Sequence, residues 1–133
     1  MIRKDDPELP RHAALLVEDR RNLKGAIMSA YLVANFELTN AEGYKAYVPA
    51  VIPTLQAHGA EVLVADYESE PLEGAPGAIT VVIRFESKEA LHNWYRSPEY
   101  QEIIGLRTDN STGIGVVVED LDMQKNMRLL AAM

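Results

Sequence analysis

The run AITVVIRFESKEALHNWYRSPEY, residues 78–100, decides how this chain is built. Residues 78–86 are rich in β-branched and aromatic types, and a strand of period two puts Ile79, Val81, Ile83 and Phe85 on one face. Ser87 then offers a side chain that caps a helix, and Leu91, Trp94 and Tyr95 follow at helical spacing. Ser97-Pro98 repeats the signal, because a proline in the first helical position gives up an N–H that has no helical partner anyway. The run is a strand passing directly into a helix that breaks at Arg96-Ser97.

Upstream, Pro71, Gly74, Pro76 and Gly77 mark a turn-rich connection, and residues 61–67 (EVLVADY) read as a strand, so the two strands form a long hairpin. Before that, residues 30–38 (AYLVANFEL) make a first strand, with Leu32, Ala34 and Phe36 on one face and Tyr31, Val33, Asn35 and Glu37 on the other. Thr39 and Glu42 have the spacing of a capping box. The helix that follows has a stripe of Tyr44, Tyr47, Val48, Val51 and Leu55 and a C-terminus at His58-Gly59, where His58 is expected to cap the last carbonyls. Pro49 and Pro53 interrupt it, and an interior proline costs about 3 kcal/mol, so a kink or two short helices is expected. Downstream, residues 112–119 supply a fourth strand. The order β-α-β-β-α-β predicts an α+β, ferredoxin-like fold around a four-stranded antiparallel sheet.

That domain spans residues 28–120. Residues 1–27, with a weakly patterned helical candidate at 8–24, form an extension, and residues 121–133 form a tail able to make a short amphipathic helix. The extension has six Lys/Arg and five Asp/Glu, net +1, so residues 28–133 carry −8 of the chain's overall −7. An acidic domain is a poor match for phosphate backbones, so no nucleic-acid partner is expected. With no cysteine, disulfides, thiolate metal sites and iron–sulfur clusters are excluded. No apolar run approaches the roughly 20 residues of a membrane span, so the expectation is a cytoplasmic protein with no membrane partner.

The strands also predict a partner. Val82 lies opposite the apolar face of the third strand, and Val117 opposite Ile114, Val116 and Val118 in the fourth, so neither strand has a fully polar face. Two helices cover one side of a four-stranded sheet, and a second copy of the chain is the economical cover for the other. A monomer whose tails fold over the sheet is the competing reading.

Nucleotide-binding and nucleophile-elbow motifs are absent, and His12, His58 and His92 lack metal-ligand spacing, so no metal or cofactor is expected. Trp94 is expected to fill the gap between helix and sheet. Asn35 and Glu37, polar and mid-strand, either sit at a solvated rim or line a polar pocket. Arg84 and Arg107 are the cations nearest the core, and each either meets a carboxylate of the protein or orients a carboxylate or enolate oxygen of a ligand.

Tyr44, Tyr47, Pro53, His58-Gly59, Glu73-Gly74, Phe85 with Ser87, Leu106-Arg107 and above all Trp94-Tyr95-Arg96-Ser97-Pro98-Glu99-Tyr100 resemble the bacterial family called domain of unknown function 1330. The resemblance covers roughly residues 28–120 and implies a dimeric α+β barrel, in which two sheets meet. It implies no reaction, since the wider superfamily includes cofactor-independent monooxygenases, lactone isomerases, haem-degrading enzymes and stress-response proteins. Two departures stand out. Ala65-Asp66-Tyr67 replaces a second-strand segment that usually carries an arginine with glycines, and Asp120 replaces a final glycine, which alters any pocket built on that arginine. Family members usually begin near Met28, so an alternative start there would make residues 1–27 a leader or an extension.

Two functions remain open at this point. One is a homodimeric protein that binds a small organic molecule between sheet and helices, lined by Tyr31, Asn35, Trp94, Tyr100 and Arg107, either as a simple binder or as a cofactor-independent enzyme. The other is a noncatalytic dimeric binding or structural protein in which those residues only pack. The enzyme reading requires at least two of those polar groups to converge on a cavity of roughly 300 Å³ or more.

Overall fold

The computed structural model describes residues 28–133, so the extension and its helical candidate lie outside the described residues. Four strands, β1 (Ala30–Leu38), β2 (Glu61–Asp66), β3 (Ile79–Phe85) and β4 (Ser111–Glu119), form one antiparallel sheet in the order β2-β3-β1-β4. Two helices, α1 (Ala41–Tyr44) and α2 (Tyr47–Ala57), join β1 to β2; α3 (Lys88–Arg96), α4 (Pro98–Gln101) and α5 (Gly105–Thr108) join β3 to β4. This is the α+β order expected from the sequence.

The local signals are used with two corrections. The cap of α1 is Asn40 rather than Thr39: its side chain accepts from Gly43 N at 3.2 Å. The Thr39 and Asn40 amides both donate to the Asn110 carbonyl, at 2.9 and 3.2 Å, so the chain stays tied to β4's entrance until the helix begins. The first helix does divide, but before Pro49. That proline stands in the first turn of α2, where it cannot donate to the Lys45 carbonyl, and the break falls at Lys45-Ala46. Pro53 is accommodated inside α2. At its end Gly59, with φ of 66°, takes the left-handed turn and Ala60 N donates to Leu55 O at 3.0 Å, while His58 Nδ1 donates to the Thr54 carbonyl at 3.0 Å. Ser87 caps α3, and Ser97 caps α4 with Pro98 in its first position.

The core lies on the helix side of the sheet. Ala30, Ala34, Phe36, Ile79, Ile83 and Phe85 are buried beneath Tyr47, Val51 and Leu55 of α2 and Leu91 and Trp94 of α3. Trp94 is fully enclosed, with its indole N–H on Thr54 Oγ1 at 2.9 Å and its ring 4.1 Å from that of Tyr100. The opposite side of the sheet carries a row of valines across all four strands, Val64–Val82–Val33–Val116. Ile114 and Val118 extend it, and they are 69% and 41% exposed.

Ser29–Glu119 form one compact unit, and Asp120–Met133 belong to another. The latter holds α6 (Met123–Ala131), capped by the Asp122 side chain on Lys125 N at 3.1 Å. Among the described residues no helix is long and apolar enough to cross a membrane.

Candidate functional site

Between the helices and the sheet lies a cavity of about 850 Å³. Its floor is the helix-facing side of the sheet, in cross-strand rows Val62–Ile83–Leu32–Val117 and Ala65–Val81–Ala34–Gly115, with Phe36 and Gly113 next. The glycines matter differently. A Cβ on Gly113 would collide with the backbone of Asn35 and Phe36, whereas one on Gly115 would meet only Leu32 Cδ1 at 3.8 Å, an ordinary van der Waals contact, so Gly115 has room for a methyl group where Gly113 has none.

One end of this cavity is polar. Because the first helix breaks at Lys45-Ala46, Tyr44 and Tyr47 end α1 and begin α2 with their rings 5.5 Å apart. The Tyr44 hydroxyl meets that of Tyr67, just past β2, at 2.9 Å, and the Tyr47 hydroxyl meets that of Tyr100, in α4, at 2.8 Å. Arg107, from α5, donates through Nη2 to the Tyr100 hydroxyl at 3.3 Å, and its guanidinium carbon lies 5.8 Å from the centre of the Tyr47 ring, within cation–π range. Burial, reinforced by the bond to Tyr67, pushes the Tyr44 phenol well above its usual range. Burial also raises the Tyr47 phenol, with the Tyr100 phenol beside it adding to the shift. Burial works against the Arg107 charge, but the phenolic oxygens of Tyr100 and Tyr47 outweigh it and hold the guanidinium charged.

Among the described residues Arg107 makes no ion pair with a carboxylate, and none of the residues lining the cavity is acidic, in a chain with 20 Asp and Glu. Arg84 behaves in the opposite way, sitting 3.6 Å from Glu61 on the other side of the sheet. Of the two arginines singled out in the sequence, one faces a protein carboxylate and one faces a cavity.

The five residues expected to line a pocket do not line one cavity together. Arg107 stands in the wall; Tyr100, only 1% exposed, lies behind it and holds it. Trp94 belongs to the core. Tyr31 and Asn35 project from the opposite side of the sheet, since they alternate with Leu32, Ala34 and Phe36. Asn35 there clamps the entry to β3, accepting from Gly77 N at 2.7 Å and donating to Gly77 O and Thr80 Oγ1 at 3.0 Å each, with Glu37 accepting from Ala78 N at 3.0 Å. The cavity exceeds the volume set for the enzyme reading, but two of the named groups do not converge on it. Tyr44, Tyr47 and Tyr67 were missed as site residues. The available signal was chemical: a tyrosine in a buried stripe must find a partner for its hydroxyl, and Tyr44 and Tyr47 both lie in one.

The sequence profile described as "Domain of unknown function (DUF1330)" matches residues 29–121. No curated protein matches the chain. Solved structures do. The RPA0582 protein of unknown function from Rhodopseudomonas palustris superimposes with a TM-score of 0.61 at 16% identity, covering 79% of this chain and 93% of that one. Methylated RPA0582 gives 0.58 at 16% identity, covering 80% and 92%. At such identity the likeness is one of fold. The profile match spans well over half of the sequence, and the chain therefore belongs to the family called domain of unknown function 1330.

Proposed function

We propose that this protein is a homodimer that binds a small organic anion in the cavity between sheet and helices, with Arg107 as the anchor. The observation that carries the reading is that Arg107 lines a largely apolar cavity and, among the described residues, pairs with no carboxylate. A half-buried guanidinium without a counter-ion among the described residues is costly, and a carboxylate or enolate oxygen from a ligand supplies such a partner through charge-assisted hydrogen bonds. Tyr44 and Tyr47 remain neutral hydroxyls at ordinary pH, so they serve as hydrogen-bonding groups rather than as bases. That favours binding over proton abstraction. The second copy covers the valine row on the outer side of the sheet, and the cytoplasm is the setting in this reading.

The test is a thermal-shift and calorimetric comparison of small carboxylates with their neutral amides, on the native protein and on Arg107→Gln. Carboxylates should raise the unfolding midpoint and amides should not. Arg107→Gln should weaken carboxylate binding at least tenfold, since a hydrogen bond to a charged group is worth about 1.5–3 kcal/mol. Equal binding of acid and amide would overturn the assignment.

A further inference from the structure

We infer that the anion this cavity takes is amphipathic: a straight-chain aliphatic carboxylate of about eight to twelve carbons, its head at Arg107 and its tail along the sheet. The inference rests on the anion-binding reading above and adds the ligand's shape.

Polarity in the cavity is sorted by position along the strands. The antiparallel register puts the end of β1, the start of β4 and the end of β2 at the same end of the sheet. Tyr44, Tyr67, Arg107 and Ser111 line the cavity at that end. Away from it the floor is Ala34, Val81, Leu32, Ile83 and Val62, and α2 adds Val51 and Leu55 above. These are aliphatic side chains and make up most of that stretch of the cavity, beside the His92 and Tyr95 rings that α3 contributes to the lining. β4 lines the cavity from Ser111 to Val117, about 20 Å at roughly 3.3 Å per residue. An extended alkyl chain advances about 1.3 Å per carbon, given C–C bonds of about 1.5 Å, so a chain of that class fits the length available. Gly115, which lines the cavity and where an added Cβ would just touch Leu32 Cδ1 at 3.8 Å, lies part-way along this path.

The experiment is calorimetric titration of the full chain with hexanoate, octanoate, decanoate and dodecanoate below their micelle concentrations, beside the matching primary alcohols and benzoate. Each added methylene should tighten carboxylate binding about fourfold until the cavity is filled. The alcohols should bind at least tenfold more weakly than the acids of equal length. Gly115→Leu, which adds a side chain to a lining position of the cavity on an edge strand, should weaken decanoate and dodecanoate at least tenfold and hexanoate less than twofold. Benzoate and hexanoate binding with no gain along the series would overturn the aliphatic inference and leave the anion-binding reading standing. Alcohols binding as tightly as acids would overturn both, as would the failure of every carboxylate to bind. Unchanged dodecanoate affinity in a folded Gly115→Leu protein would overturn the placement of the tail.

Discussion

The Arg107 guanidinium donates to the hydroxyl of Tyr100 at 3.3 Å, and Tyr100 is itself buried, so a core residue fixes the direction in which the cavity's charge points. The same hydroxyl meets that of Tyr47 at 2.8 Å, which ties α2, α4 and α5 together behind the cavity wall. Tyr100→Phe keeps the ring and removes this junction. Stability should fall by about 1–3 kcal/mol, the cost of leaving buried polar groups unpaired. Carboxylate affinity should fall several-fold while binding of the matched alcohol stays constant, because Tyr100 positions Arg107 without touching a ligand. Equal losses for acid and alcohol would assign Tyr100 a purely structural role.

The buried phenols predict an alkaline limit. Tyr44 and Tyr47 are both raised above their usual value of about 10 because burial penalises the phenolate. The folded state therefore binds their protons more tightly than the unfolded state does. Their contribution to stability is complete below about pH 10 and is lost as pH rises above it towards the folded values. Between pH 7 and 9 these two groups should leave stability unchanged. Above pH 10 each should remove up to about 1.4 kcal/mol per pH unit. Phenolate absorbance measured alongside the unfolding midpoint checks this, since part of the tyrosine signal should appear only with unfolding. Tyr47→Phe should make the alkaline decline shallower.

The fold was legible because each strand and cap is a local signal: Ser87, Ser97-Pro98 and His58-Gly59 act within a few residues of themselves. Asn40 caps the helix in place of Thr39, and the amides of both residues donate to the Asn110 carbonyl, at least 70 residues away in sequence, which no local motif announces. The site was less legible for a related reason. Period-two alternation correctly separates Tyr31 and Asn35 from Leu32, Ala34 and Phe36, yet polarity at mid-strand does not by itself tell a solvated rim from a polar pocket. Asn35 is polar because it must satisfy the backbone of Gly77 where the long connection enters β3. Arg84 and Arg107 could not be told apart by residue type. Only the register that sets Glu61 beside Arg84 does so.

Trp94 offers a separation of packing from binding. It is fully buried, bonds Thr54 through its indole N–H, and is not among the residues lining the cavity. Trp94→Phe should lower stability by about 1–3 kcal/mol, from lost volume and one lost buried hydrogen bond. Carboxylate affinity should remain within twofold of the native value. A stable variant with affinity reduced tenfold would mean that the indole faces the ligand after all.

The outer side of the sheet supplies the last prediction. In the single chain Val118 is 41% exposed on the edge strand β4, beside Tyr31, and it is not among the cavity's lining residues. Val118→Asp should therefore change the stability of the protomer by no more than about 0.5 kcal/mol, as surface substitutions generally do. In a two-fold dimer joined through this face the same substitution acts twice, placing two carboxylates at an apolar interface expected to bury at least about 1,200 Å². Sedimentation should show the native chain as a dimer at micromolar concentration and Val118→Asp as a monomer. Carboxylate binding measured on that monomer then reports whether one chain completes the cavity: retention within about threefold places the site wholly within the protomer. A native chain that sediments as a monomer would remove the dimer and leave the valine row without its cover.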